Sequence, residues 1–479
     1  MKKLNLKSVL GITIASLFFL TTSCEQVDKK SNDNANQATY AISKENEEKA
    51  IELGKWGMPL VSFFAQKEAN ARDMGAMPNQ ILYWSQPFDH NNKILTPNDV
   101  VLYISAPIET FDGPMVLEIP KSEADISIFG SIIDPFMVPL EDVGGDKGID
   151  KGMGGKILIT PPGFEDEIPS GYLHIPSDHY NSVAGLRITP PSFEKEDLIR
   201  TESFIKQIKL YRYGSNDETI FIDGENKPYD PKPPYDENFF RLIDLYIQTE
   251  NHKEIDTSFI SQMNILGIEK GKAFVPDASH RRIAGEIKTE LQAGFRNIGN
   301  KFFPNSNWTT PVAPVEAQTQ FTYLDNEGVY HWETRAQTWH WAIWGPKHLG
   351  GDTYYLIGQK DKDGNVLKST GTYTLTVPAN VPAEKFWSVN VYEFETGGTF
   401  FDDVDKVAVS SLQQDLVTNE DGSVTLTFGP ECPEGMPNSN HVPTVGDGSW
   451  FTLFRWYDPL PELFSDSDDK WTLGDFETY

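Results

Sequence analysis

Four side chains in the segment HWETRAQTWHWAIWG (331–345) could do chemistry together. Glu333, Gln337, His340 and Trp344 recur at spacings of four, three and four residues, which places them on one face of a helix. A carboxylate, an amide, an imidazole and an indole in one stripe can hydrogen-bond to a polar organic ligand and stack on it. Glu333 and His340 are the candidate catalytic acid–base pair. They stand two turns apart, about 10 Å along the axis, too far for a direct bond but suited to flanking a substrate, with Gln337 between them. The competing reading is a satisfied polar seam between helices and the last β region. Trp332, Ala336, Trp339 and Ile343 form an adjoining stripe with the spacing of an ordinary core face, and Gly345-Pro346 is expected to end the helix. Arg335, on another side of it, could serve a carboxylate ligand or simply form a surface ion pair.

Other catalytic signatures are missing. The sequence holds no G-x-S-x-G elbow and no H-E-x-x-H pair. The glycine-rich stretch GGDKGIDKGMGG (144–155) lacks the lysine-serine ending of a phosphate loop and reads as a surface loop. His331, His340 and His348 are separated by nine and eight residues, so no two share a helical face one turn apart. The two cysteines, Cys24 and Cys432, cannot form a thiolate zinc site alone. No metal and no cofactor are therefore expected. A formal charge of −29 argues against nucleic acid as a partner, since like charges repel.

The chain begins as an exported protein would. Lys2, Lys3 and Lys7 precede the apolar run SVLGITIASLFFL (8–20), which is too short for a stable membrane span, and TTSC places Ser23 before Cys24. This resembles a bacterial lipoprotein signal, which implies removal of residues 1–23 and lipidation of Cys24, although Thr21 stands where leucine is usual. Residues 24–44 are polar and without apolar period, as a flexible tether would be. The expected location is the cell envelope, attached through the lipid, on the outer membrane or facing the periplasm.

The elements that must position the candidate stripe follow. Residues 45–201 begin with a helical pattern interrupted at Gly57 and Pro59, then turn to short apolar runs divided by Pro and Gly, such as VVLYISAPI and GKILITPPG. Those runs indicate antiparallel strands in a sandwich. Residues 202–345 are mostly helical: Phe239, Leu242, Ile243 and Tyr246 fall on one face behind an Asp236 cap, and Ile283, Ile287, Leu291 and Phe295 on another beginning near Asp277. Residues 346–479 return to strands, with Asp363-Gly364 and Asp421-Gly422 as turn signals. The fold class is mainly β with a helical insert.

Residues in both β regions resemble a known pair of domains. TPNDVVLY (96–103), DGPMVLEIP (112–120) and LGIEKGKAFVPD (266–277) resemble bacterial proteins with domain of unknown function 1254. GTYTLTVPANVPAEKFWSVNVYEF (371–394), DGSVTLTF (421–428) and GSWFTLFRWYDP (448–459) resemble the partner domain of unknown function 1214. The resemblance implies an immunoglobulin-like β-sandwich, a helical insert and a jelly-roll-like β-sandwich, and it implies almost nothing about chemistry. Where the family commonly has Asn-Asp-Thr after the Pro-Asn, this chain has Asp99, Val100 and Val101 after Asn98, so Asn98 and Asp99 alone would carry a functional polar pair. Its Asn-Trp-Leu-Pro appears as Asn440-His441-Val442-Pro443.

Asn98, Asp99 and Tyr103 are thus further ligand-binding candidates, beside Arg335, Gln337 and Trp344, and a cleft between domains could join the two sets. The expected function is that of an envelope hydrolase or lyase acting on a small polar organic molecule or glycan fragment. The alternative is a non-catalytic lipoprotein binding carbohydrate or another small ligand, with Trp387, Trp450 and Trp456 stacked on sugar rings. Those tryptophans also fit a sandwich core.

Overall fold

The computed structural model describes residues 41–311, 320–348, 353–400, 403–465, 467 and 470–479. Cys24, the signal and most of the tether lie outside the described residues.

Two helices come first, α1 (Glu47–Trp56) and α2 (Met58–Ala69), broken at Gly57. The glycine is needed for packing: a Cβ there would lie 2.5 Å from the Ile243 side chain. Ten strands follow: β1 (Ile81–Tyr83), β2 (Leu102–Glu109), β3 (Met115–Ile119), β4 (Ser127–Ile133), β5 (Pro139–Gly144), β6 (Gly155–Thr160), β7 (Tyr172–Pro176), β8 (Asn181–Thr189), β9 (Lys209–Arg212) and β10 (Phe221–Asp223). They form a six-stranded sheet, β10-β1-β2-β8-β4-β5, and a four-stranded sheet, β7-β6-β3-β9, with helix α3 (Lys195–Ile205) between β8 and β9 in sequence.

Helices then dominate: α4 (Glu237–Thr249), α5 (Thr257–Ile260), α6 (Ala278–Phe295) and α7 (Trp332–His340). Asp236 caps α4 by accepting from the Asn238 N–H at 2.8 Å. Asp277 caps α6 in the same way, and His280 Nδ1 accepts from the Asp277 N–H in return. The apolar faces expected for both helices are buried in one cluster with α1, α2, Ala336 and Trp339, apart from Phe295, which packs beside Trp341 in a neighbouring cluster.

The C-terminal strands are β11 (Thr353–Gly358), β12 (Tyr373–Val377), β13 (Ala383–Glu393), β14 (Ala408–Ser410), β15 (Val424–Gly429), β16 (His441–Pro443), β17 (Trp450–Pro459) and β18 (Glu477–Thr478). They pair as β11-β17-β13-β14 and β16-β15-β12-β18. The fold is thus mainly β, four open sheets with a helical portion.

Strand alternation decides what each face does. In β2, Leu102, Ile104, Ala106 and Ile108 enter a core shared with the β7-β6-β3-β9 sheet, while Tyr103 and Ser105 point the other way. In β17, Trp450, Phe454 and Trp456 enter the core of the C-terminal sheets, while Phe451, Leu453, Arg455 and Tyr457 take the opposite face. Both sheets are therefore covered on two sides. Val101, just before β2, and Phe129 of β4 meet Phe386 of β13 and Tyr457 of β17 in a small apolar cluster that joins the two β regions.

Candidate functional site

Next to that junction the outward faces of β2, β8, β11 and β17 border a cleft with a cavity volume of about 140 Å3. Each sheet brings a tyrosine–arginine pair to it. Tyr103 and Arg187 are register partners across β2 and β8, and Tyr355 and Arg455 across β11 and β17. The Arg187 guanidinium carbon stands 5.6 Å from the Tyr103 ring centre, and that of Arg455 6.0 Å from the Tyr355 ring. The rest of the wall is largely aromatic and aliphatic, including Trp84, Phe88, Ile94 and Trp344.

Arg455 is only 6% exposed. Its Nη1 donates to Asn390 Oδ1 at 2.8 Å, and Asn390 Nδ2 donates to Asp99 Oδ1 at 3.0 Å. The amide thus links guanidinium to carboxylate. Burial raises the Asp99 carboxyl above its ordinary value, although the Asn390 hydrogen bond and the Arg455 charge pull it down. Burial pushes the Tyr355 phenol up to about 12 and raises that of Tyr457, so both stay protonated and can donate. Tyr355 donates to the Trp344 carbonyl, and Asn98 is hydrogen-bonded to the Tyr457 hydroxyl.

Three residues of the cleft wall have left-handed backbones without being glycine: Thr96 at φ 43°, Met137 at φ 61° and Ala342 at φ 48°. A β-branched threonine in that region is strained, and such strain collects at functional sites. The Thr96 hydroxyl donates to the Trp341 carbonyl at 3.3 Å, which ties the Thr96 and Ala342 segments together.

The segment 331–345 divides differently from its helical period. The helix ends at His340, not at Gly345. The N–H groups of Trp341 and Ala342 turn back to the carbonyls of Thr338 and Trp339, and the left-handed Ala342 then carries the chain out of the helix. Trp332 is partly buried against the helical core that holds Ala336 and Trp339, while Ile343 joins a cluster with Phe295 and Trp341. The polar stripe is dispersed. Glu333 has an exposed side chain ion-paired with Lys55 at 3.3 Å. Gln337 lies against Gly294 of α6, where a Cβ would come within 2.4 Å of its amide. His340 is buried, and its Nδ1 is hydrogen-bonded to the Tyr235 hydroxyl. Burial and the nearby Lys288 charge push its imidazole down to about 3, so it is neutral. Arg335, at 1% exposure, is enclosed: Nη1 donates to Tyr330, Nη2 to the Trp56 carbonyl at 3.2 Å, and the guanidinium stacks 4.5 Å from Phe136.

Trp344 reaches the cleft. Its indole lies across Gly185 of β8, where a Cβ would meet the ring at 2.1 Å. Asn98 and Tyr103 line the same cleft, and Asp99 stands behind Arg455. Trp450 and Trp456 are fully buried and Trp387 is 6% exposed, all within the C-terminal core, so they present no open face to a sugar. Among the described residues, no three His, Cys, Asp or Glu side chains are grouped to hold a metal ion.

Arg187, Arg455, Tyr355 and Asn390 escaped the sequence reading. Their signal was a charge inside an apolar strand: arginine interrupts both VAGLRIT and WFTLFRWY, and a buried arginine demands partners.

The chain matches the family described as "Protein of unknown function (DUF1254)" over residues 78–212 and that described as "Protein of unknown function (DUF1214)" over residues 352–461. It belongs to the proteins that carry these two domains in this order. Among curated proteins none matches. The solved structures it resembles include the VPA0106 protein from Vibrio parahaemolyticus, at 13% identity and a TM-score of 0.56, covering 91% of this chain and 100% of that one. An uncharacterized protein from Burkholderia cenocepacia matches at 12% identity and a TM-score of 0.41, covering 91% and 94%. The first likeness is one of fold.

Proposed function

We propose that this chain is a lipid-anchored envelope protein that binds a small polar organic molecule in the cleft between its two β regions. The observation that carries this reading is the convergence of Tyr103, Arg187, Tyr355 and Arg455 on one cavity, from four strands in two sheets. A few convergent polar groups in a mostly apolar, concave wall are the usual make-up of a ligand site. The lipid anchor on Cys24 and the envelope location rest on the N-terminal sequence, and the net charge weighs against nucleic acid as a partner. Within this reading the paired N-terminal sheets are an immunoglobulin-like sandwich and the paired C-terminal sheets a jelly-roll-like one, supported by the core each pair encloses.

A second reading, a hydrolase or lyase acting on the same small molecule or on a glycan fragment, draws on Asp99. Its carboxyl is raised by burial and lies one amide away from Arg455, so it is a proton donor or acceptor within reach of the cleft wall. Glu333 and His340 give this reading no support, because neither borders the cleft.

The test is a thermal-shift and tryptophan-fluorescence screen of the full-length chain against small polar organic molecules and glycan fragments, with product analysis by mass spectrometry. Binding that disappears in Trp344→Ala supports the cleft. Turnover lost in Asp99→Asn supports the second reading. Binding that Trp344→Ala leaves intact contradicts both.

A further inference from the structure

Arg187 and Arg455 border the same cleft, but their charges are handled differently. Arg455 is held by Asn390 and by the Thr96 carbonyl, with the Asp99 carboxylate one amide away. Arg187 is half-buried, and among the described residues no carboxylate pairs with it; its nearest polar company is phenolic, chiefly Tyr103. An arginine remains charged throughout the physiological range, and a charge withdrawn from water without a counter-ion is costly. The cleft therefore carries one uncompensated positive charge.

We propose that this cleft takes an organic carboxylate of about single-ring size, its anionic head paired with Arg187 and its apolar body laid against Trp344 and Phe88. The proposal rests on the reading of the cleft as a binding site and names its ligand class. Three observations carry it. The charge count calls for one negative charge, because Asp99 already balances Arg455 through Asn390. The cavity of about 140 Å3 is close to the ~150 Å3 that holds a benzene ring, which excludes an oligosaccharide inside it. The wall beside Arg187 is aromatic: Phe88 stacks on Tyr103 at 4.4 Å, and the Trp344 indole is fixed by Gly185 beneath it and by Tyr355 at its carbonyl. A planar carboxylate also matches the guanidinium fork, which two parallel N–H groups can satisfy.

The experiment is calorimetric titration of the full-length chain in detergent with benzoate and with benzamide, which share a shape but not a charge. Benzoate is expected to bind roughly 30-fold tighter, the cost of leaving a half-buried guanidinium unpaired inside the cleft. Arg187→Met should erase that preference. Arg187→Lys, which keeps the charge and loses the fork, should retain part of it. If Arg187→Met does not fold, the wild-type contrast and the lysine variant still decide. Equal affinities, or a preference that survives in Arg187→Met, would overturn the carboxylate assignment, and so would tighter binding of phenyl phosphate than of benzoate. In those cases the cleft itself still stands if Trp344→Ala abolishes binding. Binding of neither benzoate nor benzamide, together with a blank screen of neutral compounds, would overturn the cleft as well.

Discussion

Gly185→Ala is the smallest change that tests whether Trp344 forms the cleft wall. A Cβ at this position would sit 2.1 Å from the indole, against an ordinary contact of 3.4 Å or more, so the ring must retreat by about 1.3 Å. It has little room to do so. Trp339 stands edge-on 6.1 Å away, the Trp344 carbonyl is tied by Tyr355, and the strained Ala342 fixes the approaching chain. Overpacking of this kind costs about 1–3 kcal/mol. The assay is urea unfolding of wild type, Gly185→Ala, Trp344→Ala and the double variant. Once the indole is gone the three atoms nearest the added methyl go with it, so the double variant should be no less stable than Trp344→Ala alone, and the cycle should show a coupling of about 1–3 kcal/mol. Additive costs, or a Gly185→Ala protein with unchanged stability and ligand binding, would refute the placement of Trp344 against β8.

Other outcomes follow from the buried polar groups. His340 titrates at about 3 in the folded chain against 6.5 when free, so protonation favours unfolding. Its contribution is complete above pH 6.5 and declines as the pH falls toward 3, by about 5 kcal/mol in all; His340→Asn should flatten that acid limb in pH-dependent unfolding. Asp134 is fully buried, and although burial favours its neutral form, Lys253 at 2.8 Å and His179 at 3.4 Å hold its carboxyl well below the usual range. That stability is present above pH ~4 and lost below it, and Asp134→Asn should cost about 3 kcal/mol at neutral pH, read by urea unfolding. Asn390→Ala strands Asp99 and Arg455 together, and should cost about 1–3 kcal/mol and weaken ligand binding measured by calorimetry.

Much of the fold was legible because it obeys local rules. Asp236 and Asp277 announced two helices, and the spacing of Phe239 to Tyr246 and of Ile283 to Phe295 gave their buried faces. The chemistry was less legible, because period identifies a stripe and not what lies opposite it. Glu333, Gln337 and His340 share a face as expected, yet one meets solvent and Lys55, one meets Gly294 and one meets Tyr235. Only Trp344 reaches the cleft, through a backbone reversal at Ala342 that no propensity announces. The cleft joins residues more than 250 positions apart, Tyr103 with Tyr355 and Arg187 with Arg455. Their strands are apolar on both faces, so alternation hides which side is core and which side faces the neighbouring domain.

The most direct measurement is a crystal structure of the protein grown with benzoate. Density is expected in the cleft between the two β regions, with the carboxylate against Arg187 and the ring against Trp344. Benzoate found elsewhere, or an Arg187 paired with a protein carboxylate across an empty cleft, would contradict it.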